Sequence, residues 1–214
     1  MRAWGIVVAG GRGTRFGRPK QLEELGGRSL IDWAIDAVRP VCDGVVVVLD
    51  ATLMEGAKVD ADAVVAGGDT RAASVRAGLD AVPGDPEAIL VHDAVRPLAT
   101  ADLAARVLAA VVAGADGAVP SVPVVDTLKR VDGTRVTATV DRSELVAVQT
   151  PQAFRTEVLR RAHAAGGDAT DDAGLVEAAG GTVVVVDGER DNLKITWLED
   201  LAVAEALVAA RQRR

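Results

Sequence analysis

The chain has 214 residues and a formal net charge of −7, with 49% hydrophobic and only 2% aromatic residues. One α/β domain is the expected unit at this length, and no apolar stretch approaches the ~20 residues of a membrane span. Too few rings for base stacking and an acidic balance argue against a nucleic-acid partner.

In chain order, Gly5–Ala9 reads as a first buried strand. Ser29 is placed to cap a helix over Leu30–Val38, with Asp32 in the capping-box position and Pro40 as a stop. Val45–Leu49 is a β-branched buried strand and Ala63–Ala66 a short one. Thr70 caps a helix over Arg71–Leu79, Ala88–His92 is the next strand, Thr100 caps a helix over Ala101–Ala113, and Ala118–Val122 is a further strand. This alternation predicts an α/β, Rossmann-like fold, a mostly parallel sheet with helices on both faces.

The pattern changes after Pro123. From about 124 to 149 the chain is more polar, and Thr127–Val131 and Arg135–Val140 flank Asp132-Gly133, a hairpin-turn dipeptide. A projecting β-hairpin arm is expected there. Helices over Glu157–Ala165 and Asp171–Ala179 follow, the second ended by Gly180-Gly181, and then a strand over Thr182–Val186. The last helix opens on Thr196-Trp197-Leu198-Glu199, a capping-box pattern, and Trp197, Leu201, Ala204 and Val208 share a face that reads as core packing. No repeat or linker divides residues 1–214, so a single domain is expected. The single cysteine, Cys42, cannot form an internal disulfide and reads as a buried apolar thiol. Met1 to Gly5 show no signal-peptide apolar region. A cytoplasmic, reducing location is the expectation.

The segment richest in chemistry is Ala9-Gly10-Gly11-Arg12-Gly13-Thr14-Arg15-Phe16-Gly17-Arg18-Pro19-Lys20, directly after the first strand. Ligands of open α/β sheets bind outside the carboxyl ends of strands, and glycines let backbone N–H groups cradle phosphate oxygens. Arg12, Arg15, Arg18 and Lys20 concentrate positive charge in an acidic protein, as a polyphosphate would require. The spacing fits neither a dinucleotide fingerprint, since Gly17 comes one residue late and Pro19 interrupts a helix, nor a P-loop, since Gly-Lys-Ser/Thr is absent.

Gly-Gly-x-Gly-x-Arg followed by Pro-Lys resembles the signature of nucleotide-sugar pyrophosphorylases and related nucleotidyltransferases. Pro19-Lys20-Gln21 is similar to the 2-C-methyl-D-erythritol 4-phosphate cytidylyltransferase family in particular. The resemblance continues through Gly67-Gly68-Asp69-Thr70-Arg71 with Ser74, Val91-His92-Asp93-Ala94-Val95-Arg96-Pro97, Asp126-Thr127-Leu128-Lys129-Arg130 and Asp141-Arg142-Ser143. It ends with Gln149-Thr150-Pro151-Gln152, Thr170-Asp171-Asp172 and Asp191-Asn192-Leu193-Lys194-Ile195-Thr196. Val95 departs mildly from the Ala of the family. Ribitol-5-phosphate cytidylyltransferases share most of these blocks and are the alternative.

The resemblance implies transfer of the CMP moiety of CTP to a sugar-alcohol phosphate, with a divalent cation such as Mg²⁺ and release of pyrophosphate. A phosphate monoester is largely dianionic at neutral pH, its second pKa being about 6, so it needs no general base. The remaining task is to neutralise developing charge at the α-phosphorus. By resemblance Arg15 and Lys20 do so, and Arg142 and Lys194 orient the acceptor, making these four the catalytic set. Ala9, Gly10, Gly11, Gly68, Asp69, Ser74, Asp93 and Ala94 would line the nucleotide. Asp93, Arg96, Thr127, Arg142, Thr170 and Lys194 would bind the acceptor, and Asp93 would be the metal contact. The family's arms interlock in a homodimer, with Thr127 and Arg142 serving the partner's site. Nucleic acid and membrane are not expected partners.

Overall fold

Short Val-rich runs form the strands, and capped apolar stretches form the helices that cover them. The computed structural model describes residues 1–10, 22–167 and 169–213. The first strand, β1 (Ala3–Ala9), is followed among these by a small antiparallel pair, β2 (Glu24–Leu25) and β3 (Arg28–Ser29). Next come α1 (Leu30–Val38), β4 (Gly44–Leu49), β5 (Ala63–Ala66), α2 (Arg71–Ala81), β6 (Ala88–Asp93), α3 (Ala101–Val112) and β7 (Gly117–Pro123). The arm strands β8 (Leu128–Asp132) and β9 (Arg135–Val140) lead to β10 (Val146–Val148) and β11 (Gln152–Arg155). The chain closes with α4 (Thr156–Ala164), α5 (Asp172–Ala178), β12 (Val183–Asp187) and α6 (Glu199–Gln212).

The central sheet has the order β10-β7-β11-β6-β1-β4-β5, with β12 beside β7. β6, β1, β4 and β5 run parallel, and β12 is parallel to β7. β11 is antiparallel to both of its neighbours, and β10 is antiparallel to β7. The expected mostly parallel sheet is therefore present. The two antiparallel strands in it were not read from the sequence.

Strand residues alternate between two cores. Val7, Val45, Val47 and Leu90 face α1 and α3 through Ile31, Ile35, Val107 and Val111. Ile6, Val46, Val48, Ile89 and Val91 face α2, α4 and α5 through Val75, Leu79, Leu159 and Val176. Burying each such side chain stabilises the fold by about 1.5–3 kcal/mol. A smaller cluster of Leu25, Leu30, Leu98, Ile195, Ala204 and Val208 seats α6 against β2 and the start of α1.

The caps form as expected. Ser29 Oγ accepts the Asp32 N–H at 3.2 Å, Thr70 Oγ1 the Ala73 N–H at 3.1 Å, and Thr100 Oγ1 the Leu103 N–H at 3.1 Å. Each such cap contributes about 1 kcal/mol. Cys42 is partly buried, not fully buried as expected, and desolvation first, then Asp43, pushes its thiol up to about 12, in line with an inert thiol.

Several local expectations are corrected. The hairpin loop is Gly133-Thr134, one residue later than Asp132-Gly133, because Asp132 pairs with Arg135 and Gly133 alone takes a positive φ, 55°. That places glycine at the first loop position, as in a type II′ turn. The last helix is not opened by a Thr196 capping box. It begins at Glu199, and Asp200 Oδ2 instead accepts the N–H groups of Thr196 at 2.7 Å and Trp197 at 2.8 Å. Trp197 is 51% exposed, so the core stripe consists of Ala204 and Val208, with Leu201 packed against them. No described helix is long and apolar enough to cross a membrane.

Candidate active site at the carboxyl edge of the sheet

The parallel strands β1, β4, β5 and β6 end together. Val8 is level with Asp93, and Ala9 with Leu49, which is level with Ala66. Two backbone bonds carry the alignment past the strands, Gly67 N–H to Leu49 O at 2.7 Å and Ala94 N–H to Val8 O at 3.1 Å. Ala9-Gly10, Gly67-Gly68 and Asp93-Ala94 therefore form one lip.

Ser74, in the first turns of α2, lies directly under this lip. Its Oγ donates within reach of Thr70 O at 3.0 Å and Gly68 O at 3.3 Å. A Cβ at Gly67 would stand 2.7 Å from that oxygen, and one at Gly10 3.2 Å. Glycine at these positions lets the hydroxyl and three chain segments crowd together.

Asp93 is the charged centre of the lip. Lys194 Nζ reaches Oδ2 at 2.8 Å, and Arg71 Nε lies 3.6 Å from Oδ1. Burial opposes ionisation of this carboxyl, but Lys194, Arg71 and Arg96 together override it and hold Asp93 well below the usual carboxylate range. Arg71 also binds the fully buried Asp172, Nη1 to Oδ2 at 2.7 Å, and the other Asp172 oxygen is 3.0 Å from His163 Nε2. Burial lowers the Arg71 pKa, and Asp172 and then Asp93 more than reverse this, so the guanidinium stays charged.

Lys194 stands on the segment after β12, and side chains strap that segment to the sheet. Gln149 Nε2 donates to Glu189 O at 2.8 Å, and Gln149 Oε1 accepts the Glu189 N–H at 3.1 Å. Asn192 Nδ2 donates to Thr150 O at 2.9 Å, Arg96 Nη1 to Asn192 O at 2.9 Å, and Ile195 N–H to Val95 O at 2.8 Å. Thr150 Oγ1 in turn accepts the Asp93 N–H at 3.0 Å and lies 2.9 Å from His92 Nδ1. His92 is fully buried, which lowers its pKa to about 4, so it is a neutral packing residue beside the site.

Of the sequence-predicted residues, Ala9, Gly10, Gly68, Asp69, Ser74, Asp93 and Ala94 lie on or under the lip, and Arg96 and Lys194 flank it. Gly11, Arg15 and Lys20 lie outside the described residues. Thr170 immediately precedes Asp171, the cap of α5. Thr127 and Arg142 belong to the exposed arm, where Arg142 Nη1 donates to Val125 O. Among the described residues no hydrogen bond or ion pair joins either of them to Asp93 or Lys194 of the same chain.

Sequence reading missed Arg71, Asp172 and His163 as parts of the site. Arg71 and Asp172 stand inside quoted blocks, but their pairing spans 101 positions and has no sequence signal. No group of three or more His, Cys, Asp and Glu able to hold a metal occurs among the described residues. A single carboxylate, Asp93, suits a cation that takes its other ligands from phosphates, as Mg²⁺ commonly does.

Residues 4–210 match the profile of the family described as IspD: 2-C-methyl-D-erythritol 4-phosphate cytidylyltransferase. The chain is 47% identical over 222 residues to the 2-C-methyl-D-erythritol 4-phosphate cytidylyltransferase of Rubrobacter xylanophilus, across 98% of this chain and 96% of the relative. It is 47% identical over 212 residues to that of Rhodococcus opacus (strain B4), across 95% and 93%. The crystal structure of the 2-C-methyl-D-erythritol 4-phosphate cytidylyltransferase from Thermus thermophilus is similar with a TM-score of 0.81 at 40% identity, across 97% of this chain and 98% of that one.

Proposed function

We infer the reaction from one premise: the chain belongs to the 2-C-methyl-D-erythritol 4-phosphate cytidylyltransferase family. It is a cytidylyltransferase. It transfers the CMP moiety of CTP to 2-C-methyl-D-erythritol 4-phosphate, giving the CDP-linked product and pyrophosphate, in the non-mevalonate route to isoprenoid precursors. An oxygen of the acceptor phosphate bonds to the α-phosphorus. The bond from that phosphorus to the oxygen bridging to the β-phosphate breaks, and pyrophosphate leaves with the electron pair.

The observation that carries this reading is the arrangement around Asp93. β1, β4 and β5, with Gly10, Gly68 and Ser74, lie to one side of β6, and the segment holding Lys194 lies to the other. This supports a nucleotide on the first side and an acceptor on the second, meeting over Asp93. Ala9, Gly10 and Gly11 line the nucleotide, Gly68, Asp69 and Ser74 face the base, and Asp93 and Ala94 sit beneath the sugar and phosphates. Arg15 and Lys20 bear the charge that builds at the α-phosphate, the guanidinium by a fork across two oxygens and the ammonium as a point charge. Lys194, Arg96 and Thr170 hold the acceptor phosphate in line, so positioning and electrostatics carry the step. Asp93, together with CTP phosphate oxygens, would hold a divalent cation, which neutralises phosphate charge when bound.

The functional unit is a homodimer built through the arm. Val125 is 73% exposed, and Val131, Val136, Val146, Val148 and Val185 are also open to solvent. Exposed valines along the arm and strands β10 and β12 support an occluding partner, and a second copy would bring Thr127 and Arg142 to a site that their own chain does not offer them. Residues 1–214 form one nucleotidyltransferase domain with an arm at about 124–149. The single cysteine supports a cytoplasmic setting.

The test is pyrophosphate release by the purified protein, with CTP, UTP, GTP and ATP each paired with 2-C-methyl-D-erythritol 4-phosphate and with ribitol 5-phosphate. CTP with the methylerythritol phosphate is expected to be fastest. Turnover of ribitol 5-phosphate in its place would reassign the acceptor, and no turnover of any pair would overturn the reading.

A further inference from the structure

The network behind Asp93 has a depth that ion pairing alone does not account for. Asp172 opens α5 with no exposed surface, and its two oxygens are divided between Arg71 of α2 and His163 of α4. A buried ion pair is a weak device for stability, because well-packed apolar side chains in its place are commonly as good or better. What such a pair does supply is a fixed orientation. With Nη1 bonded to Asp172, the guanidinium of Arg71 presents its Nε edge to Asp93 Oδ1 at 3.6 Å. Asp93 is then held at both oxygens, by Arg71 on the nucleotide side and by Lys194 at 2.8 Å on the acceptor side.

We propose that Asp172, seated on His163, is a positioning residue of the transfer site, acting through Arg71 to fix the Asp93 carboxylate and, through it, Lys194. Neither Asp172 nor His163 touches the reactants. Their contribution is geometric, of the kind for which a displacement of about 1 Å costs roughly a hundredfold in rate. The inference rests on the cytidylyl-transfer reading, and the two fail differently. A parent protein that turns over no substrate pair removes both, whereas an active parent with the wrong coupling between variants removes this one alone.

The experiment is a double-mutant cycle on acceptor kinetics with Asp172→Asn, Arg71→Gln and the two combined. Asp172→Asn keeps the shape and loses the charge. In the parent background it is expected to lower kcat/KM for the acceptor about tenfold to a hundredfold, mostly through kcat, as partners of a reacting group do. In the Arg71→Gln background the same change is expected to cost less than about twofold, since there is no guanidinium left to hold. Equal losses in both backgrounds, or no loss in the first, would overturn the proposal. Arg71→Lys, at a partly exposed position, keeps the charge without the fork and is the safeguard if Asp172→Asn does not fold. A tenfold or larger loss in kcat at an unchanged melting temperature supports the clamp, and parent-like kcat overturns it.

Discussion

Lys194 and Asp93 lie 101 positions apart in sequence and meet at 2.8 Å, the ammonium closing on one oxygen of the carboxylate that ends β6. A dianionic acceptor entering the site competes with Asp93 for that ammonium. Lys194→Ala is therefore expected to raise the acceptor KM and lower kcat. A charged hydrogen bond is worth about 1.5–3 kcal/mol, or roughly tenfold to a hundredfold in kcat/KM. CTP affinity, read by calorimetric titration, is expected to stay within about threefold, because the contact lies on the acceptor side. Acceptor kinetics equal to the parent's would remove Lys194 from the site.

Turnover is expected to require a divalent cation. Asp93 offers one carboxylate, already facing Lys194 and Arg71, and no metal cluster occurs among the described residues. The cation must therefore arrive largely on the triphosphate. Chelator-treated enzyme should be inactive, regain activity with added Mg²⁺, and bind little Mg²⁺ until CTP is present. Full activity in metal-free buffer would refute the requirement.

Subunit mixing tests the arm. Lys20→Ala is expected to cut kcat about 10²–10³-fold, the usual cost of one transition-state charge contact. Arg142→Ala is expected to be similarly poor when alone. Co-expressed as a heterodimer, the two chains rebuild one site from the intact Lys20 of one and the intact Arg142 of the other, and activity should return to as much as half of the parent's. Verified heterodimers without such recovery would show that Arg142 serves its own chain's site.

Acid should weaken the fold before it titrates Asp93. His92 is buried with its pKa lowered to about 4, mainly by desolvation. In the unfolded chain it would take up a proton near its ordinary value of about 6.5. Its contribution is thus complete above about pH 6.5 and lost as pH falls from there towards about 4. The depressed Asp93 adds a second loss at still lower pH, below the ordinary carboxylate range. Denaturant unfolding at about pH 7 and about pH 5 should show the parent losing stability. His92→Asn, which can still bond Thr150, should flatten the difference. An equal loss in both proteins would exclude His92 as the cause.

Much of the fold was legible because its signals are local. Ser29, Thr70 and Thr100 each cap the helix expected of them, and the short, β-branched Val-rich runs favour strands. β11 escaped notice because a four-residue, largely buried strand shows no alternation, and its antiparallel insertion between β6 and β7 depends on the whole sheet. The start of α6 was misplaced for a related reason. Asp200 and Thr196 both sit at capping spacing, and only geometry decides which of them accepts.

The site divides in the same way. Ala9, Gly10, Gly68, Ser74 and Asp93 come at strand ends and turns, where residue type and position are informative together. Arg71, Asp172 and His163 read as an ordinary helix start, an acidic helix start and a histidine in the last turn of a helix. Their meaning exists only once α2, α4 and α5 pack against one another.

The straps on the segment from Glu189 to Ile195 change what kind of object Lys194 stands on. Gln149 grips Glu189 in both directions, and Arg96, Thr150 and Val95 hold Asn192 and Ile195 from the ends of β6 and β11. The segment has no regular secondary structure, yet it cannot open without breaking bonds to the sheet. The Glu189 and Ile195 amide protons, which these straps engage, should exchange with solvent at the pace of sheet opening, not at that of a surface loop. The ammonium at Lys194 thus meets Asp93 from a loop that is anchored at both ends.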